Sequence, residues 1–301
     1  MSVTPLEVLA GVALDLTLGD PRWLPHPVRG FGWCVERLEA AWRRTGLPLR
    51  LAGSLFWISA VGLSTAAVWA TLPYANIYWI WALLAVRDLD VEASLVLRQI
   101  DGGDIAGARE MLARIVGRDT ANLDEAEIIR AAVETVAENL SDAVVAPLFY
   151  LAIAGPAGMA AYKAINTLDS MCGYRNERYR LFGWAPARMD DAANFIPARL
   201  TAVLVWICAL LPGYGFRRSV RVTLRDGGSQ ASPNAGYPEA AVAGALGVRL
   251  GGLNYYGGTA HEKAFMGDPV KPLSTVSFEG ARRILYAASA LMVVAVCGVV
   301  A

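Results

Sequence analysis

The sequence predicts an all-α, polytopic integral membrane protein with about four to six membrane segments, some of them re-entrant, joined by helical polar connections. The first observation is composition: 55% of the 301 residues are apolar and only 18% are charged, whereas about a quarter is usual for soluble chains. The second is an uncharged run from Leu51 to Val86, longer than the roughly 20 residues that cross a bilayer. The third is a cluster of Trp and Tyr within that run, as at membrane interfaces.

Five apolar windows supply the predicted membrane segments, and we expect them to form a single membrane-embedded catalytic domain over residues 1–301. The windows are 3–18, 51–86, 143–162, 200–216 and 284–301. Window 51–86 is long enough for two short spans with a break near Pro73. The first window carries Glu7 and Asp15. Because an acid at mid-span costs about 2.5 to 3.5 kcal/mol, we expect both to face a protein or water-filled interior.

The distribution of basic residues predicts that at least one apolar window turns back within the membrane. Lys and Arg occur in every connection between windows, and the positive-inside rule would place all these connections in the cytoplasm. Simple alternation of spans cannot achieve that. Window 143–162 contains Gly155 and Pro156, which can break it into a re-entrant hairpin, and the glycine-rich stretch 238–253 is a second candidate.

The polar connections are predicted to be helical, without strands. Residues 104–116 and 123–140 have apolar positions at three-to-four spacing, and Asn122 with Glu125 predicts a capping box for the second helix. A net charge of zero argues against a nucleic-acid binder, which needs a basic excess. Four scattered cysteines and two histidines predict neither a disulfide framework nor a histidine-based metal centre.

One face of the second predicted helix carries ionisable side chains at steps of four. Arg130, Glu134, Glu138 and Asp142 share this face, and Asn139 lies next to it. A solvated face with an ion pair between Arg130 and Glu134 explains the spacing. Neighbouring acids destabilise a helix, however, so a cation or a Mg-bound phosphate beside them is the functional alternative.

A second polar group follows window 143–162. Its members are Lys163, Asn166, Asp169, Arg175, Asn176 and Arg178. The first three lie on, or at the edge of, one helical face. The arginines are suited to bidentate binding of phosphate or carboxylate. Arginines interleaved with tyrosines are equally typical of a juxtamembrane anchor on anionic lipid.

Two further segments offer candidate ligands. Asp190 and Asp191 can hold Mg²⁺ through oxygen ligands, or they can simply begin a helix, where acids favour the positive end of the dipole. Asn234 lies in a loop before Pro238, where the free N–H groups of a helix start can receive an anion. Glu239 already fills part of that role.

Four longer stretches carry these residues. They are LDLTLGDPRWLPHPVRGFG (14–32), VETVAENLSDAVVAPLFY (133–150), YKAINTLDSMCGYRNERYRLFGWAPARMDDAANFIPARLTA (162–202) and SPNAGYPEAAVAGALGVRLGGLNYYGG (232–258). In this order, and across essentially the whole chain, they resemble the cobalamin-biosynthesis membrane enzymes called CobD or CbiB, which are adenosylcobinamide-phosphate synthases. The resemblance is more specific than any single motif.

The resemblance implies an ATP-dependent ligase. The free propionate carboxylate of adenosylcobyric acid would be joined to (R)-1-aminopropan-2-ol or its O-phosphate, which gives adenosylcobinamide or its phosphate. ATP is the implied co-substrate, Mg²⁺ the metal and the corrinoid the substrate. The implied setting is the lipid bilayer of the cell inner membrane, with other late cobalamin-pathway membrane proteins and an oligomer as further expected partners.

Within that reaction the candidate residues take hypothetical roles. The catalytic candidates are Glu134, Glu138, Asp142 and Lys163. The substrate-binding and nucleotide-binding candidates are Asn139, Asn166, Asp169, Arg175, Asn176, Arg178 and Asn234. Asp190 and Asp191 are the candidate Mg²⁺ ligands.

Two functions from other classes stay open. A transporter or channel would use intramembrane acids and broken helices as a path for ions. A non-catalytic sensor would resemble the β-lactamase-regulating AmpE proteins, distant relatives of the same family. The sequence shows no symmetry between two halves, and its polar motifs are intact, so we favour the ligase.

Overall fold

The computed structural model describes residues 3–21, 23, 27–174 and 176–301, and these are predominantly helical. The helices are α1 (Pro5–Leu18), α2 (Pro27–Arg43), α3 (Leu49–Trp69), α4 (Asn76–Leu83), α5 (Val86–Asp101), α6 (Ile105–Ala113), α7 (Glu125–Asn139), α8 (Ala146–Cys172), α9 (Trp184–Ala193), α10 (Phe195–Cys208), α11 (Phe216–Asp226), α12 (Gly236–Leu246) and α13 (Thr275–Val300). A π-helical segment, Leu140–Val145, joins α7 to α8. Strands β1 (Leu250–Tyr256) and β2 (Thr259–Met266) form an antiparallel hairpin.

Three helical stretches are long and apolar enough to cross a membrane: α3, the stretch Glu125–Cys172 and α13. A fourth is reached if α9 and α10, bent by 40°, count as one span. Helices α1 and α4 have only 14 and 8 residues, and a span needs about 17 or more. The structure therefore supports a helical membrane protein with three or four candidate spans among the described residues.

The chain reverses direction inside α8, at the glycine-proline break that the sequence predicted. Ala154 and Gly155 have non-helical backbone angles, and Gly155 has a φ of +66°. The rings of Tyr150 and Tyr162 stack with their centroids 5.2 Å apart. In an unbroken α-helix these two residues would be separated by about 18 Å along the axis. Window 143–162 is thus a helical hairpin, and its re-entry into a membrane stays a prediction.

The second re-entrant candidate, 238–253, is wrong, and so is the expectation of a chain without strands. This stretch contains most of α12, the left-handed Gly247 that terminates the helix, and the first residues of β1. Gly251 and Gly252 have φ angles of +83° and +94°, which glycine adopts without strain. Because the hairpin has no clear alternation of apolar and polar residues, its strands leave no signal in the hydrophobic periodicity.

The capping box of α7 is real but lies two residues after the predicted one. The side chain of Asp124 accepts the N–H of Glu127 at 2.8 Å, and the Glu127 carboxylate accepts the N–H of Asp124 at 3.0 Å. Asn122 lies in the preceding turn. The other predicted connection helix begins after its own cap, Asp104, and ends at Ala113, within the predicted range 104–116.

Contacts between Cα atoms divide the chain into two compact units. Unit 1 comprises Met1–Ala85, Asp142–Phe195 and Val293–Ala301. Unit 2 comprises Val86–Ser141 and Ile196–Met292. The single catalytic domain remains a prediction.

In unit 1 the core lies where α2, α3, α8 and the start of α9 pack together. Val35, Phe56 and Phe182 are fully buried there, and the rings of Phe56 and Phe182 are 5.1 Å apart. Gly53 permits this approach, because a Cβ atom at that position would lie 1.9 Å from the carbonyl oxygen of Phe182.

In unit 2 the central element is α12, which is buried on all sides. It packs against α11 and α7, and the β hairpin packs against α7 and α12. The side chain of Ser219 on α11 donates to the carbonyl oxygen of Ala241 at 2.7 Å. This arrangement brings the end of α7, the loop after α11 and the hairpin around one cavity.

Candidate functional site

Unit 2 contains a polar cavity of about 820 Å³. Its walls are the loop 115–118, the last turn of α7, the loop 229–235 and the hairpin. The lining side chains that carry charge or an amide are Arg118, Glu138, Asn139, Gln230, Asn254, Glu262 and Lys263. Its volume lies in the range of about 300 to 1,000 Å³ that is usual for small-molecule sites.

Glu134, predicted as catalytic, is a buried anchor of the hairpin. Its carboxylate accepts a hydrogen bond from Arg118 at 2.5 Å and another from the N–H of Gly251 at 2.8 Å. Arg130 lies 4.0 Å away and donates to the carbonyl oxygens of Gly251 and Leu253. Both oxygens of Glu134 are therefore engaged within the protein, and this residue does not line the cavity.

Arg118 connects this anchor to the cavity wall. Its second Nη donates to the side-chain oxygen of Asn254 at 2.7 Å. Burial alone would lower the pKa of Arg118, but the adjacent Glu134 carboxylate raises it above its usual value. The cavity thus has a permanently charged, positionally fixed guanidinium on one side.

Glu138 presents the contrasting arrangement one turn further along α7. It is half-buried, lines the cavity and has no hydrogen bond or ion pair among the residues that the structure describes. Asn139 lines the cavity beside it and donates to the carbonyl oxygen of Thr135 at 3.0 Å. Glu138 on α7 and the exposed Glu262 on β2 are therefore the lining carboxylates that are available to a ligand, and of the two only Glu138 is half-buried.

The hairpin side of the cavity contains an ion pair in which Glu239 is buried and Lys263 lines the cavity. The Nζ of Lys263 donates to both carboxylate oxygens of Glu239, at 2.9 and 3.0 Å. Burial raises the pKa of Glu239 to about 8, although Lys263 opposes this change. Burial lowers the pKa of Lys263, but the carboxylates of Glu239, Glu134 and Glu138 outweigh it, so its pKa lies above the usual value.

Unit 1 contains a second polar cluster, built by the reversal of α8. The amide nitrogen of Asn166 is 3.3 Å from a carboxylate oxygen of Asp142 and 3.4 Å from one of Asp190. The side chain of Asn194 donates to Asp190 at 3.1 Å and accepts the hydroxyl of Tyr162 at 2.8 Å. Two predicted carboxylates and one predicted amide therefore meet.

Lys163 and Asp169 belong to the surroundings of this cluster. Lys163 interacts electrostatically with Asp142 and Asp20, and Asp169 interacts with Asp190 and Asp191. Within the described part of the chain, no group of three or more His, Cys, Asp or Glu side chains is placed to hold a metal ion. The carboxylates of Asp142 and Asp190, which both accept the amide nitrogen of Asn166, nevertheless match in type and number the one or two carboxylates that commonly bind Mg²⁺ together with substrate phosphates.

The two aspartates of the predicted metal pair face different surroundings. Asp190 is held by Asn166 and Asn194, as above, whereas Asp191 forms an ion pair with Arg188 at 3.5 Å. Consecutive helical residues differ by about 100° around the axis, so a doublet cannot present both carboxylates in one direction.

The segment after α8 is held by unit 1 itself. Arg178 donates to the buried carboxylate of Glu39 at 3.1 Å, and the Tyr179 hydroxyl donates to the same carboxylate at 3.3 Å. The side chain of Asn176 accepts the N–H of Tyr179 at 3.0 Å, which closes a local turn. Arg175 lies outside the described residues.

Asn234 positions the loop before α12. Its side-chain oxygen accepts Arg199 at 3.0 Å, and the hydroxyl of Ser232 accepts the N–H of Asn234 at 3.2 Å. Ser232 and Ala235 line the cavity, but Asn234 does not. Asn234 therefore holds the loop that forms part of the cavity wall, but its own side chain does not line the cavity.

The sequence singled out Glu138 and Asn139 in the unit 2 wall, but not Arg118, Asn254 and Lys263. One feature of the sequence could have drawn attention to Lys263, because it is one of only three lysines in a chain rich in arginine. Glu239 was noted only as an acid at a helix start. Nothing in the local sequence connects residues 118, 239 and 263, because their pairing depends on the hairpin.

Comparison with known proteins gives a consistent result. The profile of the family described as CobD/Cbib protein matches residues 8–285. The cobalamin biosynthesis protein CobD of Geobacter metallireducens is 49% identical over 95% of this chain and 93% of that protein. Proteins of the same name from Pelobacter propionicus and Klebsiella pneumoniae are 46% and 41% identical, over 96% and 95% of this chain and 93% and 94% of their own lengths. No solved structure matches it. The chain belongs to the CobD/CbiB family.

Proposed function

We propose that this protein is the cobalamin-pathway enzyme that joins the propionate carboxylate of adenosylcobyric acid to (R)-1-aminopropan-2-ol or its O-phosphate, with cleavage of ATP to ADP. Membership of the family supports the pathway and the substrates. The observation that carries the proposal is the unit 2 cavity, in which the carboxylate of Glu138, unpaired among the described residues, faces the same space as Arg118 and Lys263.

The reaction needs activation and a base. A carboxylate and an ammonium group form a salt rather than an amide at neutral pH, so the carboxylate oxygen first attacks the γ-phosphorus of ATP and ADP leaves. The amine nitrogen then attacks the acyl carbon, and inorganic phosphate leaves with the bonding electrons. The proton that the amine loses needs an acceptor, and the free carboxylate of Glu138 suits this role.

The remaining groups of the cavity suit binding and orientation. Arg118 is a fixed donor for a phosphate or carboxylate oxygen, because Glu134 holds its guanidinium in place. Lys263 retains a third N–H beyond the two that Glu239 accepts. Asn139 and Asn254 offer amide groups beside these charges. Tyr256 and Phe265 supply apolar surface at the hairpin side.

Mg²⁺ would be held by the carboxylates of Asp142 and Asp190 in unit 1, in place of the amide nitrogen of Asn166 that donates to both of them in this structure. When bound at this site, the ion would supply positive charge for phosphate oxygens. Lys163, close to Asp142, would balance the charge of this cluster while the ion is absent. Asp191 is a weaker ligand candidate because it already pairs with Arg188.

We further propose a multi-pass location in the cell inner membrane with four to six membrane segments. The bent pair α9–α10 would supply a fourth segment beyond the three long candidates, one of which already contains the hairpin of α8. The short helices α1 and α4 would supply the remaining segments, which enter the membrane without crossing it alone. Other late-pathway membrane proteins are proposed neighbours, and an oligomer is compatible with this arrangement.

The proposal is tested with the purified protein, cobyric acid in its adenosylated form, aminopropanol or its phosphate, and Mg-ATP. We expect ADP release and amide formation that depend on both organic substrates. ADP release that never depends on them would refute the ligase. Corrinoid flux across liposomes without ATP would indicate a transporter instead, and a substrate-independent protein partner would indicate a sensor.

A further inference from the structure

The outward face of α11 is organised as two adjacent stripes, one apolar and one basic. Phe216, Val220 and Leu224 recur every four residues, and so do Arg217, Arg221 and Arg225. On a helix with 100° between residues, each set forms one drifting line, and the two lines run side by side. Leu224 is 74% exposed and Phe216 is 40% exposed.

The inward face of the same helix carries three polar side chains beside the buried Val222. Ser219, Thr223 and Asp226 are buried, and Ser219 and Thr223 donate to backbone carbonyl oxygens at 2.7 and 2.8 Å. Thr223 also accepts the indole N–H of Trp206 at 3.1 Å. A helix in contact with water only would also direct Phe216 and Leu224 inward. The exposure of these two side chains while two hydroxyl groups are buried indicates a partly apolar environment outside.

The basic stripe indicates which kind of apolar environment lies outside the helix. Arg217 and Arg221 are exposed and form no hydrogen bond or ion pair within the described residues. Arg225, the third member, is neutralised by Asp226 at 2.6 Å and by Asp268 at 3.0 Å. Two uncompensated cations beside an apolar stripe complement a surface with phosphate groups above hydrocarbon.

The position of α11 agrees with such a surface. Seven residues separate α11 from the end of α10, which belongs to the bent candidate span. Two of these residues, Leu210 and Leu211, are exposed. In the same connection the hydroxyl of Tyr214 donates to the carbonyl oxygen of Gly280 at 3.2 Å. Gly280 lies near the start of the candidate span α13. The connection that leads into α11 thus lies where one apolar helix ends and another begins.

We propose that α11 is an interfacial helix that lies on a layer of anionic phospholipid headgroups. Phe216, Val220 and Leu224 reach the acyl boundary, and Arg217 and Arg221 bind the phosphates. Because basic segments are retained on the cytoplasmic side, α11 marks this end of unit 2 as cytoplasmic. Ser229 and Gln230 line the polar cavity only a few residues after α11 ends, so the cavity opens at this headgroup level.

The test measures the depth of a spin label on the full-length protein in vesicles. The label is attached to Leu224→Cys in a chain whose four native cysteines are replaced, with Ala106→Cys on the exposed side of α6 as the aqueous control. In phosphatidylcholine vesicles that contain phosphatidylglycerol, we expect the Leu224→Cys label about 5 to 10 Å below the headgroup boundary. The Ala106→Cys label should be fully accessible to a water-soluble nickel chelate.

Arginine variants test the charge contribution. Arg217→Gln with Arg221→Gln should move the Leu224→Cys label towards water, whereas Arg98→Gln, at an exposed arginine on α5, should not. A label as accessible to the chelate as the one on Ala106→Cys overturns the proposal. So does a depth that depends neither on phosphatidylglycerol nor on the two arginines. Spin–spin broadening that disappears on dilution with unlabelled protein would show that a second copy covers the face, and this too overturns it.

A second measurement avoids the cysteine replacements. Native mass spectrometry of the chain with its own cysteines counts the phosphatidylglycerol molecules that remain bound after detergent release. We expect fewer for Arg217→Gln with Arg221→Gln than for Arg98→Gln. Equal retention in the two variants contradicts the proposal even if the spin-labelled chain fails to fold.

Discussion

The Nζ of Lys263 on β2 donates to both carboxylate oxygens of Glu239 on α12, at 2.9 and 3.0 Å, and Glu239 is completely buried. This pair ties the hairpin to the central helix of unit 2 at the hairpin side of the polar cavity. Removing one partner of a buried ion pair leaves an uncompensated charge, which typically costs about 3 to 5 kcal/mol. The pair therefore has consequences for stability that can be measured.

At about pH 9, above the pKa of about 8 at which Glu239 ionises, Lys263→Met should lower the free energy of unfolding by about 3 to 5 kcal/mol, because the Glu239 carboxylate is left without its cation. At about pH 6, where Glu239 holds a proton, the loss should be smaller. The measurement is denaturant-induced unfolding in detergent, followed by circular dichroism. Lys271→Met, at an exposed lysine after the hairpin, is the matched control and should change little. Equal effects of the two substitutions would contradict the structural role of the Lys263–Glu239 pair.

Glu239 also makes stability depend on pH. Its pKa is raised by burial from the ordinary 4.5 to about 8, so between these values the folded protein holds a proton that the unfolded chain has lost. The free energy of unfolding should therefore fall as the pH rises from about 4.5 to about 8. Glu239→Gln should flatten this part of a pH series of unfolding curves. A slope that is unchanged in the variant would assign the dependence to another group.

Glu138→Gln should reduce amide formation by about 100-fold to 10,000-fold, the usual contribution of a general base. The protein should remain folded, since Glu138 forms no hydrogen bond or ion pair among the described residues. Turnover and circular dichroism are measured on the same preparation. Glu125→Gln, at an exposed position in the first turn of the same helix, is the control. Unaltered turnover in Glu138→Gln would remove this residue from the site.

Glu134→Gln should destabilise the β hairpin, because Glu134 anchors it through Arg118 and the N–H of Gly251. The substitution leaves Arg118 and Arg130 without their anion, at a cost of about 3 to 5 kcal/mol for a broken buried pair. Hydrogen exchange measured by mass spectrometry should rise in β1 and β2 and remain unchanged in α2 and α3. Unchanged protection of the hairpin would show that Glu134 does not anchor it.

Asp190→Asn should raise the Mg²⁺ concentration that gives half-maximal activity, by roughly the 10-fold or more expected when a metal site loses a supporting group. Asp191→Asn is the matched control, since Asp191 pairs with Arg188 instead of facing Asn166. Chelation of Mg²⁺ should abolish activity in all three proteins. Equal Mg²⁺ requirements for both variants would place the metal elsewhere.

Gly53→Ala should destabilise unit 1, because the added methyl group would lie 1.9 Å from the carbonyl oxygen of Phe182. Overpacking of this kind costs typically about 1 to 3 kcal/mol. Gly62→Ala on the same helix meets no atom within 4 Å and should be neutral or slightly stabilising. Thermal unfolding of the two variants in the same detergent compares them, and equal midpoints would contradict the close packing of α3 against Phe182.

The sequence by itself determined the helical, membrane-type character of the chain with three or four of its predicted segments, the break at Gly155 and the family. Each of these features depends either on a short stretch of sequence or on motifs spread along the whole chain, and neither requires knowledge of tertiary contacts. A run without charge must avoid water, a glycine followed by proline breaks a helix, and four ordered motifs mark a family. The sequence also identified Glu138 and Asn139, because their spacing on one helix is fixed by the helical repeat.

Only the tertiary structure decided which polar residues belong to the unit 2 cavity and which belong to the unit 1 cluster. The predicted stripe from Arg130 to Asp142 assumed an unbroken α-helix, but the π-helical segment Leu140–Val145 changes the number of residues per turn. Glu134 and Glu138 therefore belong to unit 2, while Asp142 meets Asn166 in unit 1. The contacts Lys263–Glu239 and Arg118–Asn254 join residues 24 and 136 positions apart. Helical or strand periodicity cannot encode such separations, because the partners meet only when the chain has folded.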